Sequence, residues 1–262
     1  MCRLLAYLGP PVQMAALLYQ PEHSLIVQSY QPKEMTSGVV NADGFGLGWY
    51  RSQGQVEPFA YKNTLPIWSD INLPPLSRYV ESSCMLACVR SATAGQPVDL
   101  SNCQPFGYRQ LLGVHNGFIE RFRETLYRPI RDLIHDDLYQ QIGGSTDSEH
   151  IFALFFHIWR SLSQPDLLQA LKQTLATLAD LAQSHQTQLS ANLIASDGKQ
   201  LVACRFATRS PAPSLYWLRD NPRFPLGTAI ASEPLFEGNW TKFPEQSLLS
   251  IGADRGIQTA QL

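Results

Sequence analysis

Cys2 stands directly behind the initiator Met1. Aminopeptidase trimming removes an initiator methionine readily when the next side chain is small, and it would leave a thiol and a free α-amine on one residue. An α-amine titrates at about 7.7–8.0, so part of it is neutral near pH 7 and can take a proton, directly or through a water. The thiol, ordinarily at about 8.5, supplies the nucleophile, in the pairing that N-terminal threonine enzymes use. A Met-Cys start alone is a weak motif, since it is also how a strand begins by accident.

Three further segments carry chemistry. In Val114-His115-Asn116-Gly117-Phe118 a strand reaches an amide side chain followed by glycine. The Asn116 NH₂ and the Gly117 N–H could converge on one oxygen, as a tetrahedral intermediate of amide hydrolysis requires, and glycine lets the backbone approach without a Cβ. The same pair also suits a plain tight turn. In Val89-Arg90-Ser91-Ala92-Thr93-Ala94-Gly95 a strand ends in Arg90 and Thr93 before a glycine turn. Arg90 can fork onto the carboxylate of an α-amino acid, although a solvated surface head is the usual fate of arginine. In Gly144-Ser145-Thr146-Asp147-Ser148-Glu149, Asp147 can hold an ammonium group or serve only a helix N-terminus. The glycines of Asn41-Ala42-Asp43-Gly44-Phe45-Gly46-Leu47-Gly48-Trp49 alternate into a strand and open no helix. That spacing predicts close backbone packing, not a dinucleotide site.

The elements that must position these residues come in blocks. Strand-like runs cover residues 3–8, 45–51, 56–61, 85–89 and 111–115, the last stopping at Asn116-Gly117. Thr146-Asp147-Ser148-Glu149 has the form of a capping box before the apolar run 151–159. Leu167, Leu168, Leu171, Leu175, Leu178 and Leu181 form a helical stripe. A hairpin follows over 192–205 around Asp197-Gly198, with short strands at 215–218, 228–231 and 248–251. Leu73-Pro74-Pro75-Leu76 reads as a loop. Two strand blocks with helices grouped between them predict a layered α+β fold, and no repeat or linker divides residues 1–262, so one domain is expected.

Composition excludes several classes. The chain has 262 residues, 44% hydrophobic and 16% charged, with net charge −2. The pI near 6.3 and mean hydropathy of −0.14 are those of an ordinary globular protein. Nucleic-acid or anionic-membrane partners would want a basic excess. No apolar run approaches the roughly 20 residues that span a bilayer, and the start lacks the apolar core of a secretory signal. A cytoplasmic protein is expected. The five cysteines lack regular spacing, so they are not a disulfide framework. Cys84 and Cys88 read as buried thiols in a strand. The six histidines form no zinc spacing; no metal and no cofactor are expected.

Taken together and in this order, Met1-Cys2-Arg3, Asp43-Gly44-Phe45-Gly46, Arg90-Ser91-Ala92-Thr93, His115-Asn116-Gly117, Thr146-Asp147-Ser148-Glu149 and Ala231-Ser232-Glu233-Pro234 resemble the class II glutamine amidotransferases. These are N-terminal nucleophile hydrolases, and the motifs span nearly the whole chain. The resemblance implies a four-layer αββα sandwich of two stacked antiparallel sheets. It implies Cys2 as nucleophile, Asn116 and Gly117 as the oxyanion hole, and Arg90 and Asp147 on the carboxylate and amine of a glutamyl group, with Thr93 a lesser contact. Many glutamine-using members carry His-Gly after that Thr, where this chain has Ala94-Gly95. The opening through Pro10-Pro11, Asn41-Ala42-Asp43-Gly44 and Gly144-Ser145-Thr146-Asp147 are similar to the subgroup that hydrolyses γ-glutamyl-hercynylcysteine sulfoxide in ergothioneine biosynthesis.

That resemblance makes the expected partner a small γ-glutamyl substrate, with a second copy of the chain left open. The trimethylammonium of such a substrate would favour an aromatic face, for which Trp68, Trp49 and Tyr50 are candidates, Trp49 and Tyr50 being better suited to the core. An ammonia-releasing glutaminase must pass its product to a synthase, and the glutaminase-like segments occupy the whole chain. Two other readings stand beside this one: a glutaminase subunit feeding a separate synthase, and an inactive module that keeps only the fold.

Overall fold

The computed structural model describes residues 1–35, 38, 40–51, 57–93 and 95–262. Ala94 and the start of the expected 56–61 strand lie outside the described residues. The chain enters directly into β1 (Arg3–Gln13), which is buried on both faces over its first half. Side chains alternate along a strand, so Leu4, Ala6 and Leu8 point one way while Leu5 and Tyr7 point the other. An apolar residue at nearly every position is what a central strand covered on both sides requires.

In this strand's sheet, β2 (Phe45–Trp49) and the edge strand β3 (Phe59–Asn63) lie on one side, beyond β4 (Glu81–Val89). A second sheet begins with β5 (Phe106–Tyr108), β6 (Leu111–Ile119), β7 (Leu189–Ser196) and β8 (Leu201–Arg205). The chain then returns to the first sheet with β9 (Tyr216–Asn221), β10 (Phe224–Ala231) and β11 (Thr241–Lys242), and ends in the second with β12 (Ser247–Ile251) and β13 (Ile257–Gln261). The resulting orders are β11-β9-β10-β1-β4-β2-β3 and β13-β12-β8-β7-β6-β5, with antiparallel pairing throughout.

Three apolar layers hold the sheets and helices together. Leu4, Ala6, Leu8 and Leu86 meet Leu112, Val114, Ile194 and Leu249 between the two sheets. The outer face of the first sheet packs on α1 (Met14–Leu18), α2 (Leu25–Tyr30) and α3 (Leu73–Tyr79) through Leu17, Leu25 and Leu73. The outer face of the second packs on α4 (Tyr127–Asp132), α6 (Asp147–Ser161) and α7 (Leu167–Ser184), with the short α5 (Asp136–Tyr139) alongside. This is the expected αββα sandwich. Leu167, Leu171, Leu175 and Leu178 form the buried stripe of α7, and Asp166 caps its start by accepting from the Gln169 N–H at 2.7 Å. The alternating glycines of β2 act as the spacing predicts: a Cβ on Gly46 would overlap the Gln104 carbonyl, and one on Gly48 would meet the Leu112 side chain at 2.5 Å. Among the described residues no helix is long and apolar enough to cross a membrane.

Several local expectations are corrected. Asn116-Gly117 does not end its strand; β6 runs on to Ile119, with Asn116 opposite Asn192 and Gly117 opposite Ala191. Glycine is needed there because a Cβ would collide with the Ser190 carbonyl, a close approach and not a turn. The 73–76 segment is no loop: its prolines sit in the first turn of α3, where a missing N–H costs nothing. The β1 strand continues past Pro10-Pro11, its pairing with β4 shifting register between Leu8 and Val12. The strand expected over 45–51 ends at Trp49, and the next occupies Phe59–Asn63.

Candidate active site

Cys2 sits at the N-terminal end of β1, on the same side as Leu4 and Ala6, and packs against the layer between the sheets. It is half-buried and lines a cleft of about 760 Å³ together with Thr93, Gly117 and Asp147. Leu4 lies opposite Cys88 on β4, so the Cys88 thiol is on the same face as Cys2. The neighbouring Cys88 thiol outweighs burial and, with the Ser91 N–H and the nearby positive charges of the terminal amine and Arg90, pulls the Cys2 thiol below its ordinary range. Cys88, wholly enclosed, is pushed up by that burial.

Asn116 approaches from the opposite sheet. Leu112 and Val114 face the inter-sheet layer, so the strand period points Asn116 there too. It is fully buried, and neither its Nδ2 nor its Oδ1 has a hydrogen-bond partner. A buried amide without partners costs more than it contributes. Asn192, opposite in register, donates to the Pro213 and Ser214 carbonyls at 3.0 and 3.2 Å and leaves its own Oδ1 unpaired. On the other face of the strand His115 is buried between the Ser148 hydroxyl at 2.8 Å and the Ser190 carbonyl at 3.3 Å. Desolvation lowers its pKa and favours the neutral ring.

Asp147 begins α6 and lines the cleft. Its Oδ1 accepts from the Ser148 N–H and its Oδ2 from the Ile119 N–H, both at 2.8 Å, so it ties the helix start to the end of the Asn116 strand. Thr146 is the cap, accepting from the Glu149 N–H at 3.2 Å. The Glu149 carboxylate reaches past the cap to the Gly143 and Gly144 amides. Arg90 is buried behind the cleft wall, where its guanidinium donates to the Asp43 and Pro97 carbonyls and to Gln96 Oε1 at 3.2–3.4 Å. Trp68 is not brought to the cleft. It lies on a short 3₁₀ turn, Ile67–Ser69, packed edge-on against Tyr30 at 5.7 Å. Trp49 packs on Phe59, and Tyr50 is buried, donating to the Ser196 carbonyl at 2.7 Å.

Behind Cys2 lies a set of groups to which the motifs gave no role. Arg3 is fully buried; its Nε donates to the Cys2 carbonyl at 2.8 Å and its Nη1 to Glu233 at 3.0 Å. Glu233 also meets His23 at 2.7 Å and accepts from the Lys33 and Glu34 amides. Burial would raise its pKa, but the His23 bond, the two amides and the Arg3 charge bring it down to about 2. Asn41 holds the residue before the nucleophile, donating to the Met1 carbonyl at 2.6 Å. The alternation of β1 was the available signal for Arg3: a charge on a strand buried on both faces must find a buried partner.

The arrangement joins an activated thiol, an unpaired amide donor facing the same layer, and a carboxylate at the rim of one cleft. That set can attack a carbonyl, stabilise the resulting oxyanion and hold a cationic group of the substrate.

A sequence model of class II glutamine amidotransferases matches residues 13–225. The chain is 30% identical over 252 residues to the γ-glutamyl-hercynylcysteine sulfoxide hydrolase of Mycolicibacterium smegmatis, covering 96% of both chains. It is also 30% identical to a probable glutamine amidotransferase of Saccharomyces cerevisiae, covering 96% of this chain and 82% of that one. The solved glutamine aminotransferase class-II domain protein of Silicibacter pomeroyi superposes with a TM-score of 0.73 at 29% identity, covering 100% of this chain and 99% of that one.

Proposed function

The chain belongs to the class II glutamine amidotransferases, and from that premise we propose that it is an amidohydrolase which cleaves a γ-glutamyl amide through Cys2, freed as the first residue by loss of Met1. The observation that carries the reading is that Cys2 and Asn116 are turned to the same inter-sheet layer from opposite sheets, a thiol drawn below its ordinary range and a buried amide with no partner.

The Cys2 thiol gives its proton to its own α-amine and the thiolate attacks the γ-carbonyl carbon. The oxygen gains negative charge where the Asn116 Nδ2 and the Gly117 N–H can donate to it, and donors fixed in advance favour that charged state over the ground state. The C–N bond breaks as the ammonium returns its proton to the leaving nitrogen, and water then hydrolyses the thioester to glutamate. Asp147 receives the α-ammonium of the glutamyl group. Arg90 is assigned its α-carboxylate, reached by exchanging its contacts to Gln96 and Pro97; Thr93 adds a polar contact at the rim.

The leaving group is the hercynylcysteine sulfoxide portion, making the reaction a step of ergothioneine biosynthesis in the cytoplasm. Two observations support this. One is the 96% mutual coverage with the Mycolicibacterium relative of that name. The other is the cleft itself: about 760 Å³ exceeds what a glutamyl group fills, and its lining includes Glu120, Arg121, Arg123 and Glu124, charges of both signs suited to a zwitterionic leaving group. All five cysteines are free thiols, as a reducing compartment allows.

Glutamate release from γ-glutamyl-hercynylcysteine sulfoxide and from free glutamine, compared as kcat/KM, tests the assignment. We expect the conjugate to win by about two orders of magnitude or more, the discrimination that a site built around polar leaving-group contacts supports. Equal efficiency on glutamine would replace this reading with an ammonia-supplying subunit.

A further inference from the structure

Asn41 is fully enclosed, and its environment is unusual on three counts. Its backbone N–H donates to the Ser29 carbonyl at 2.6 Å, which fixes the main chain. Its Nδ2 donates to the Met1 carbonyl at 2.6 Å. Its Oδ1 is buried with no hydrogen-bond partner. On the far side of Cys2, the Arg3 Nε holds the Cys2 carbonyl. The peptide group entering Cys2 and the one leaving it are thus each gripped by a buried side chain.

The Met1 carbonyl oxygen and the Cys2 nitrogen belong to one peptide group, bonded to the same carbon. Loss of Met1 removes the acceptor that Asn41 now uses and creates up to three N–H donors on the adjacent nitrogen. The buried amide then faces an amine, and its unpaired oxygen is the atom that an amine requires. We propose that in the chain beginning at Cys2, Asn41 is the positioning residue of the α-amine: its Oδ1 accepts an N–H and so turns the amine lone pair toward the Cys2 thiol. This inference rests on the reading of Cys2 as an N-terminal nucleophile. The proton account closes: the amine takes the thiol proton, Asn41 accepts an N–H from both the neutral and the charged amine, and the proton passes to the leaving nitrogen. The charged or titratable groups that act on the present Met1 amine or on the Cys2 thiol, and so face the residue that would carry the new amine, are Arg3 on its own strand, Asp43 on the Asn41 segment, and Cys88 and Arg90 on β4 and its end.

The test releases every variant from a cleavable fusion so that Cys2 is the first residue, verified by intact mass, and reads glutamate release on the better of the two substrates above. In Asn41→Ala, kcat falls about tenfold or more while KM changes little, the loss expected of one misaligned hydrogen bond at a reacting group. In the isosteric Asn41→Asp, a carboxylate beside the amine keeps it protonated to higher pH. The acidic limb of kcat/KM therefore moves up by about one unit or more. If Asn41→Ala fails to fold by its melting transition, Asn41→Asp carries the test alone. An unmoved acidic limb in folded Asn41→Asp overturns the proposal, whether or not kcat falls, because a structural role predicts no shift. Cys2→Ala runs beside them: where it is inactive, an unmoved acidic limb in Asn41→Asp removes only the role of Asn41, whereas activity in Cys2→Ala removes the reading beneath it.

Discussion

Arg3 and Glu233 form an ion pair at 3.0 Å that is closed off from solvent, and the same guanidinium holds the carbonyl of Cys2. A pair of this kind gains its value from geometry, since the desolvation of both charges offsets much of their attraction. Here the geometry joins residues 230 positions apart, fastening the first strand to the turn after β10.

Glu233→Gln should therefore cost about 3–5 kcal/mol at pH 7, the usual penalty for leaving one buried charge without its partner. The pH dependence has a definite sign. The folded carboxyl titrates at about 2 against an ordinary 4.5, so its contribution is fully present above 4.5 and is lost as pH falls through 2. Denaturant midpoints at pH 7 and pH 3 check this: the wild type loses stability between them, and Glu233→Gln loses less.

Asn116→Ala should lower kcat by about 10²–10³-fold with KM little changed, the usual loss for one preorganised oxyanion donor. Because the Asn116 side chain has no protein partner, truncating it leaves no group of the chain newly unpaired. Melting should then change only slightly, and a purely raised KM would mean that the amide binds the ground state.

Asp147→Asn keeps the shape and loses the charge. Its effect should fall on every γ-glutamyl substrate alike, lowering kcat/KM by about 10²-fold, because an ammonium would be bound without a counter-charge. Trp68→Ala, outside the cleft, should alter kcat/KM by less than about twofold, in line with surface substitutions away from a site. Steady-state kinetics on both variants separates the two.

The layered fold was legible in the sequence because period-2 alternation, helical spacing and six ordered motifs survive in a linear string; those motifs singled out Cys2 and Asn116, but not that β6 carries Asn116 on toward the layer between the sheets. The Asn116-Gly117 pair misled at the level of local structure. Its glycine suits a turn, but what demands glycine is the Ser190 carbonyl across the ladder, a contact 73 positions away in sequence (190 − 117). Trp68 misled differently. Its ring chemistry fits a trimethylammonium, yet nothing in local sequence tells which face of a four-layer sandwich a short 3₁₀ turn lies on. Glu233 was visible only as part of a motif, and its partner Arg3 only as a charge beside a cysteine. Their meeting depends on the pairing of β1 with β10.

The central claim is that Cys2, as first residue, forms the bond to the substrate. Met1-free protein and its Cys2→Ala variant, both verified by intact mass and by melting, should be compared for glutamate release from γ-glutamyl-hercynylcysteine sulfoxide. Rapid quenching of the wild type should also reveal a γ-glutamyl adduct on the peptide that begins at Cys2. The account predicts turnover and adduct in the wild type and neither in Cys2→Ala; full turnover by folded Cys2→Ala would contradict it.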